Sequence, residues 1–148
     1  MLFRSAELLE KDWNVAANVW SVTSFSELRR DGMRAERARR LGGADESWVA
    51  RCLKDRAGPV IAASDYVSAV ADLIRAYVPG RYVALGTDGF GRSDTRSALR
   101  RFFEVDRHHV VLAALQALVR DGRCERSVLA DAVQRYGVAA EAAAPWTR

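Results

Sequence analysis

The chain has 148 residues, of which 49% are hydrophobic and 28% charged, the balance of one ordinary folded domain rather than of a disordered tail or a membrane protein. No apolar run reaches the roughly 18 to 20 residues that span a bilayer, and Met1-Leu2-Phe3-Arg4-Ser5 is soon followed by Glu7, Glu10, Lys11 and Asp12, so neither a signal peptide nor a transmembrane helix is read here. Lys plus Arg exceeds Asp plus Glu by only 23 to 19, and the excess is carried by 21 Arg beside 25 Ala, a bias more typical of a GC-rich coding sequence than of a nucleic-acid surface.

Leu8, Leu9 and Trp13 recur at helical spacing, so the chain opens on an amphipathic helix. Asn18 to Phe25 holds Val19, Trp20, Val22, Thr23 and Phe25, the β-branched and aromatic enrichment of a short buried strand. A helix capped by Ser24 or Ser26 carries Glu27, Leu28, Arg29, Arg30 and Asp31, then frays through Gly32 into an Arg-rich stretch that stops at Leu41-Gly42-Gly43. Trp48, Val49 and Leu53 indicate a short helix before Ala57-Gly58-Pro59.

Val60 to Ala63 is a continuous apolar run, which suits a strand covered on both faces, with Ser64-Asp65 placed to cap the next helix. Val67, Val70, Ala71, Ile74, Tyr77 and Val78 make one helical stripe closed by Pro79-Gly80, and Tyr82 to Leu85 reads as a third strand. After the loop Gly86 to Asp94 come three helices. Ser93 or Asp94 caps the one carrying Leu99, Phe102 and Phe103, and Asp106 caps the one carrying Val111, Leu115 and Leu118. The last carries Val128, Leu129, Ala132, Val133 and Tyr136 and ends at Gly137, leaving 139–148 as a loosely ordered tail. Strands alternating with helices give an α/β fold, although three strands are few for an open sheet.

Several patterns that carry chemistry elsewhere are weak here. The loop Gly86 to Asp94 lies after a strand and before a helix, where α/β sheets place ligands, yet its order is G-x-x-G-x-G, not G-x-G-x-x-G, and no Lys-Ser or Lys-Thr follows. His108 and His109 are adjacent on a helix, about 100° apart, and do not form a chelating pair; a solvated or capping role fits them better. Cys52 and Cys124 lack C-x-x-C spacing, so neither a zinc ribbon nor a disulfide framework is indicated and a reducing cytoplasm fits. Asp65, Asp94 and Asp106 have the positions of N-caps, whereas Asp88 has no such explanation. Arg29, Arg30, Arg34, Arg37, Arg39 and Arg40 are interleaved with Glu27, Asp31 and Glu36 and have no aromatic between them to stack on bases, so a solvated or interface helix is the simpler reading. Trp13, Trp20, Trp48 and Trp146 read as core or interface residues.

Three passages, Asp12 to Arg30, Gly58 to Tyr66 and Tyr77 to Tyr82, and above all Leu85-Gly86-Thr87-Asp88-Gly89-Phe90-Gly91-Arg92-Ser93-Asp94-Thr95-Arg96 followed by Leu99-Arg100-Arg101-Phe102-Phe103-Glu104-Val105-Asp106, carry a family resemblance. The chain resembles the C-terminal region of the homodimeric, acetyl-transferring type of pyruvate dehydrogenase, from about Glu7 to Gly137. The resemblance implies a transketolase C-terminal-like domain over 1–138: a three-layer αβα sandwich around a mostly parallel sheet, here lacking its first strand. It also implies an oxidoreductase that binds thiamin diphosphate and Mg²⁺, decarboxylates pyruvate and reductively acetylates lipoyl groups in the cytoplasm. The implied partners are the other domains and the second subunit of that enzyme, and dihydrolipoyl acetyltransferase.

No Gly-Asp-Gly…Asn cofactor motif occurs in the chain, and the Gly-Thr-Asp-Gly of Gly86 to Gly89 does not replace it. The expectation is therefore a C-terminal piece that forms structural or dimer contacts, binds neither cofactor nor metal alone, and contributes no catalytic residue. Gly86, Asp88, Gly89, Phe90, Gly91, Arg92, Ser93 and Asp94 are expected to form an interface or positioning loop. The competing expectations are an independent regulatory or nucleic-acid-binding module that uses Arg29 to Arg40, and a metabolite-binding domain that uses the glycine loop.

Overall fold

The computed structural model describes residues 2–147. Among them the chain runs α1 (Leu2–Trp13), α2 (Phe25–Arg40), α3 (Trp48–Leu53), β1 (Val60–Ala63), α4 (Ser68–Asp72), β2 (Tyr82–Leu85), α5 (Arg96–Phe102), α6 (Arg107–Arg120) and α7 (Ser127–Tyr136). Single 3-10 turns lie at Arg75–Tyr77 and Pro145–Thr147.

β1 and β2 are parallel, paired from Val60 with Tyr82 to Ala63 with Leu85, and α4 supplies the crossover that parallel neighbours require. Alternation along β1 divides the core in two. Ile61 packs with Leu9, Val111, Ala114, Leu115 and Ala132 from α1, α6 and α7. Val60, Ala62, Tyr82 and Ala84 pack with Val49, Ile74 and Val78, and with Phe25, Leu28, Leu53 and Tyr77 from the α2 and α3 side. Helices thus cover both faces of the sheet, the three-layer αβα arrangement. Helix α6 is the central one: Val111 and Leu115 are fully buried, and burying each such side chain contributes about 1.5 to 3 kcal/mol.

The strand expected over Asn18 to Phe25 does not form, so the sheet has two strands among the described residues, not three. Phe25 already belongs to α2, and Val19, Trp20 and Val22 are exposed. β-propensity records how well a side chain fits a paired, half-buried surface, and no neighbouring strand offers this segment one. Helix α2 does not fray at Gly32 either. That glycine is buried in mid-helix because the Tyr77 ring lies where a Cβ would stand, 2.3 Å from its Cδ2.

Other corrections concern caps and surface aromatics. The stripe from Val67 to Val78 is split into the short α4 and a 3-10 turn, and neither Ser64 nor Asp65 caps α4. Ser64 Oγ accepts instead from the Tyr66 amide, and Asp65 pairs with Arg100. Thr95, not Ser93 or Asp94, caps α5 by accepting from the Ala98 amide. Ser24 and Asp106 cap α2 and α6 through their side chains. Trp13 joins the core, whereas Trp20, Trp48 and Trp146 are exposed and belong to neither core cluster among the described residues, which leaves only the interface half of that expectation for them. Within 139–147, Pro145 is fully buried.

Candidate functional site

The two parallel strands end side by side at Ala63 and Leu85, and the segments leaving them form one rim of the molecule. Ligands of α/β sheets bind outside such carboxyl ends. Thr87 ties the two segments together: its amide donates to the Tyr66 carbonyl and its hydroxyl to the Asp65 carbonyl, both at 2.9 Å. Gly86 makes that approach possible, because a Cβ there would stand 2.2 Å from the Ser68 nitrogen. The Asp88 carboxylate accepts the Ser68 amide at 2.9 Å and so caps α4, which has no side-chain cap of its own. This is the structural reason for the one carboxylate that local spacing left unexplained.

Further along, Gly89 adopts φ +128 beneath Pro145, whose carbonyl oxygen would lie 2.8 Å from an added Cβ. Both requirements, a left-handed backbone and a close approach, select glycine. Phe90 is 81% exposed, and a Cβ on Gly91 would meet nothing within 4 Å. The Arg92 guanidinium lies 4.3 Å from the centre of the Phe102 ring, a cation–π geometry. Ser93 and Asp94 are exposed.

Between this loop and α5 lies a cleft of about 510 Å³ that includes Asp65, Phe90, Arg92, Arg96 and Arg100. The Arg100 guanidinium donates to both Asp65 oxygens, at 2.8 and 3.2 Å, and this hydrogen bonding with the attendant charge holds the Asp65 carboxyl below the usual carboxylate range. Of the loop residues singled out in the sequence, Gly89, Phe90, Gly91, Arg92 and Asp94 line this cleft with Asp65, Arg96 and Arg100, whereas Gly86, Asp88 and Ser93 do not. Arg92, Arg96 and Arg100 stand four residues apart, a spacing visible in the sequence that marks one face of α5 and its approach.

The remaining candidates lie elsewhere. Asp106 accepts the amides of His108 and His109 at 3.0 Å, and the His109 ring nitrogen at 2.8 Å, while His108 stacks on Tyr136. The histidines thus serve the start of α6. On α2, Arg30 pairs with Glu27, and Arg34 with Asp31 and Asp45, which neutralises part of the arginine run. Asp31 also accepts the Trp48 amide at 2.6 Å, and that bond followed by Arg34 keeps its carboxyl below its ordinary value. Cys52 and Cys124 are free thiols. Among the described residues no helix is long and apolar enough to cross a membrane.

Residues 1–106 match the family model described as a transketolase-like TK C-terminal domain. The chain belongs to this family. Its transketolase C-terminal-like fold is the αβα layering described above, with the Gly86 to Asp94 loop at the strand ends. Among curated proteins it is similar to the pyruvate dehydrogenase E1 component of Pseudomonas aeruginosa, 54% identical over 138 residues, which cover 90% of this chain and 16% of that protein. It is also similar to the E1 components of Mycolicibacterium smegmatis, 53% identical over 91% of this chain and 15% of that protein, and of Escherichia coli K12, 43% identical over 95% and 16%. The transketolase C-terminal-like chain thus spans about 15 to 16% of the length of these relatives.

The cofactor implied by the resemblance, thiamin diphosphate with Mg²⁺, needs hard oxygen ligands that remain available to the metal. Asp88 is engaged by Ser68 and Asp65 by Arg100, and among the described residues no three His, Cys, Asp or Glu side chains come together to hold a metal. The residues present do not fit that group, and the rim supplies ion pairs, an exposed aromatic ring and guanidinium groups instead.

Proposed function

We propose that this chain acts as the C-terminal domain of a pyruvate dehydrogenase E1 component, an oxidoreductase of thiamin diphosphate-dependent pyruvate decarboxylation. It forms structural and subunit contacts and does not turn over substrate alone. The observation that carries this reading is 43 to 54% identity to such E1 components across 90% or more of the chain. The αβα core supports it. In this reading the working partners are the other domains and the second subunit of the E1 component, then dihydrolipoyl acetyltransferase, in the cytoplasm. The Gly86 to Asp94 loop, held from behind by Asp88 and Gly89, presents Phe90 and Arg92 outward as an interface or positioning loop.

The test is complementation in trans. A relative's E1 component lacking the matching C-terminal segment is co-expressed with this chain and assayed for pyruvate-dependent acetylation of lipoyl groups. Activity is expected for the pair and for neither part alone. Failure of the two parts to associate, or turnover by the chain alone, overturns the reading.

A further inference from the structure

A second concavity of about 750 Å³, which shares Arg96 and Arg100 with the first cleft, is walled by Arg4 of α1, Arg96, Arg100 and Arg101 of α5, and Arg107 and His108 of α6. Five guanidinium groups meet there with a single carboxylate, Asp106, which is already engaged by the His108 and His109 amides and the His109 ring. Arg100 is held by Asp65, and Arg101 donates to the Gly137 carbonyl at 3.1 Å. Among the described residues no carboxylate pairs with Arg4, Arg96 or Arg107. Three unpaired cations in one recess repel one another, and a bound anion relieves that repulsion.

His108 reports the same field. It faces Asp106, Arg107 and His109 on its own helix, Arg101 from α5 and Tyr136 from α7, with Arg4 of α1 lining the same recess. Desolvation by burial, followed by Arg107 and Arg101, outweighs Asp106 and pushes its pKa below the ordinary 6.5. The Arg107 Nε–H donates to His108 Nε2 at 3.2 Å, so that ring nitrogen acts as an acceptor.

We propose that this groove binds a small, metal-free, multiply charged phosphate, with the diphosphate group of a soluble metabolite as the occupant class. Guanidinium forks match phosphate oxygens bidentately, and arginines drawn from three helices around one groove suit a polyphosphate with charge in several directions better than an extended peptide. Arg4, Arg96 and Arg107 supply the unpaired charge, and Arg101 and His108 complete the wall. The proposal stands on these residues alone and is independent of the assignment to an E1 component.

The test is calorimetric titration of the purified chain with sodium pyrophosphate in EDTA near neutral pH and low salt, with orthophosphate for comparison. One saturable site is expected, tighter for pyrophosphate than for orthophosphate and weakened by added salt. Arg4→Gln and Arg96→Gln, which break no ion pair in the fold, should each weaken it about tenfold, the loss of one charge-assisted contact. The triple variant Arg37→Gln, Arg39→Gln, Arg40→Gln on the distant α2 should bind like the parent chain. In the unsubstituted chain, saturating pyrophosphate should raise the His108 pKa seen by NMR, a readout that needs no variant. Absence of saturable binding, an unmoved His108 titration, or loss in the α2 variant instead of the groove variants overturns the proposal.

Discussion

Asp88 Oδ1 accepts the backbone N–H of Ser68 at 2.9 Å, so the loop that leaves β2 caps the helix that crossed over to reach it. The bond spans 20 residues and closes the β1–α4–β2 unit on itself. Asp88→Ala should lower stability by about 1 kcal/mol, the usual cost of a lost N-cap. Asp88→Asn, which keeps an oxygen acceptor, should lose less. Urea denaturation of the two variants checks the order, and equal stability of Asp88→Ala and the parent chain would show that the cap contributes nothing.

Gly86 and Gly91 lie in the same loop but differ in surroundings. A Cβ at Gly86 would stand within 2.2 to 2.6 Å of backbone atoms of Ser68 and Tyr66, whereas one at Gly91 meets open space. Gly86→Ala must push two backbone segments apart and should cost roughly 1 to 3 kcal/mol or more. Gly91→Ala should fall within about 0.5 kcal/mol of the parent. Thermal melts of the pair measure the contrast, and similar melting temperatures would contradict it.

Acid should weaken the fold through the start of α6. Burial alone would raise the Asp106 carboxyl, but the hydrogen bonds from the His109 ring and amide overcome it and hold the group at about 2, against an ordinary 3.8. The folded chain then binds fewer protons than the unfolded one, so this contribution is complete above about pH 4 and lost as pH falls toward 2, about 2 kcal/mol in all. His108 acts with the same sign from a higher pH, since its folded-state pKa lies below 6.5 and the unfolded chain takes up the proton first. Unfolding free energies measured from neutral pH down to about 3 should decline throughout, and Asp106→Asn should flatten the lower part of the curve. Stability that rises on acidification would refute the assignment.

Tyr136 joins the two ends of the chain. Its hydroxyl accepts the Trp13 indole N–H at 2.8 Å and donates to Asp12 at 3.0 Å. Tyr136→Phe leaves the part-buried indole N–H without its acceptor and should cost about 1 to 2 kcal/mol. Denaturation followed by tryptophan fluorescence gives the number, and an unchanged midpoint would count against the bond.

What the sequence revealed and what it hid have the same physical cause. Strands β1 and β2, helix α6 with its Asp106 cap, and the stop at Gly137 are legible because each depends on neighbours a few residues away. The Asn18 to Phe25 segment misled because its β-branched and aromatic content has meaning only beside a paired strand. Gly32 looked like a break because the Tyr77 ring that needs its missing Cβ comes 45 residues later in the chain. In the candidate site, the glycine loop was visible as a motif. The cap at Asp88 and the Asp65–Arg100 pair were not, since they join residues 20 and 35 positions apart. Arg92, Arg96 and Arg100 were the exception, a four-residue spacing overlooked beside the more conspicuous run on α2.

The seat of α1 has a consequence for synthesis. Leu9 packs on α6, and the Trp13 indole bonds a tyrosine 123 positions downstream. A ribosome adds residues from the N-terminus, so this helix emerges before the surface that covers it exists, and its apolar stripe of Leu8, Leu9 and Trp13 waits for nearly the whole chain. Among the helices described here, the first to emerge is therefore the last to be seated, and chaperone crosslinking to stalled nascent chains should centre on α1 until Tyr136 has cleared the exit tunnel.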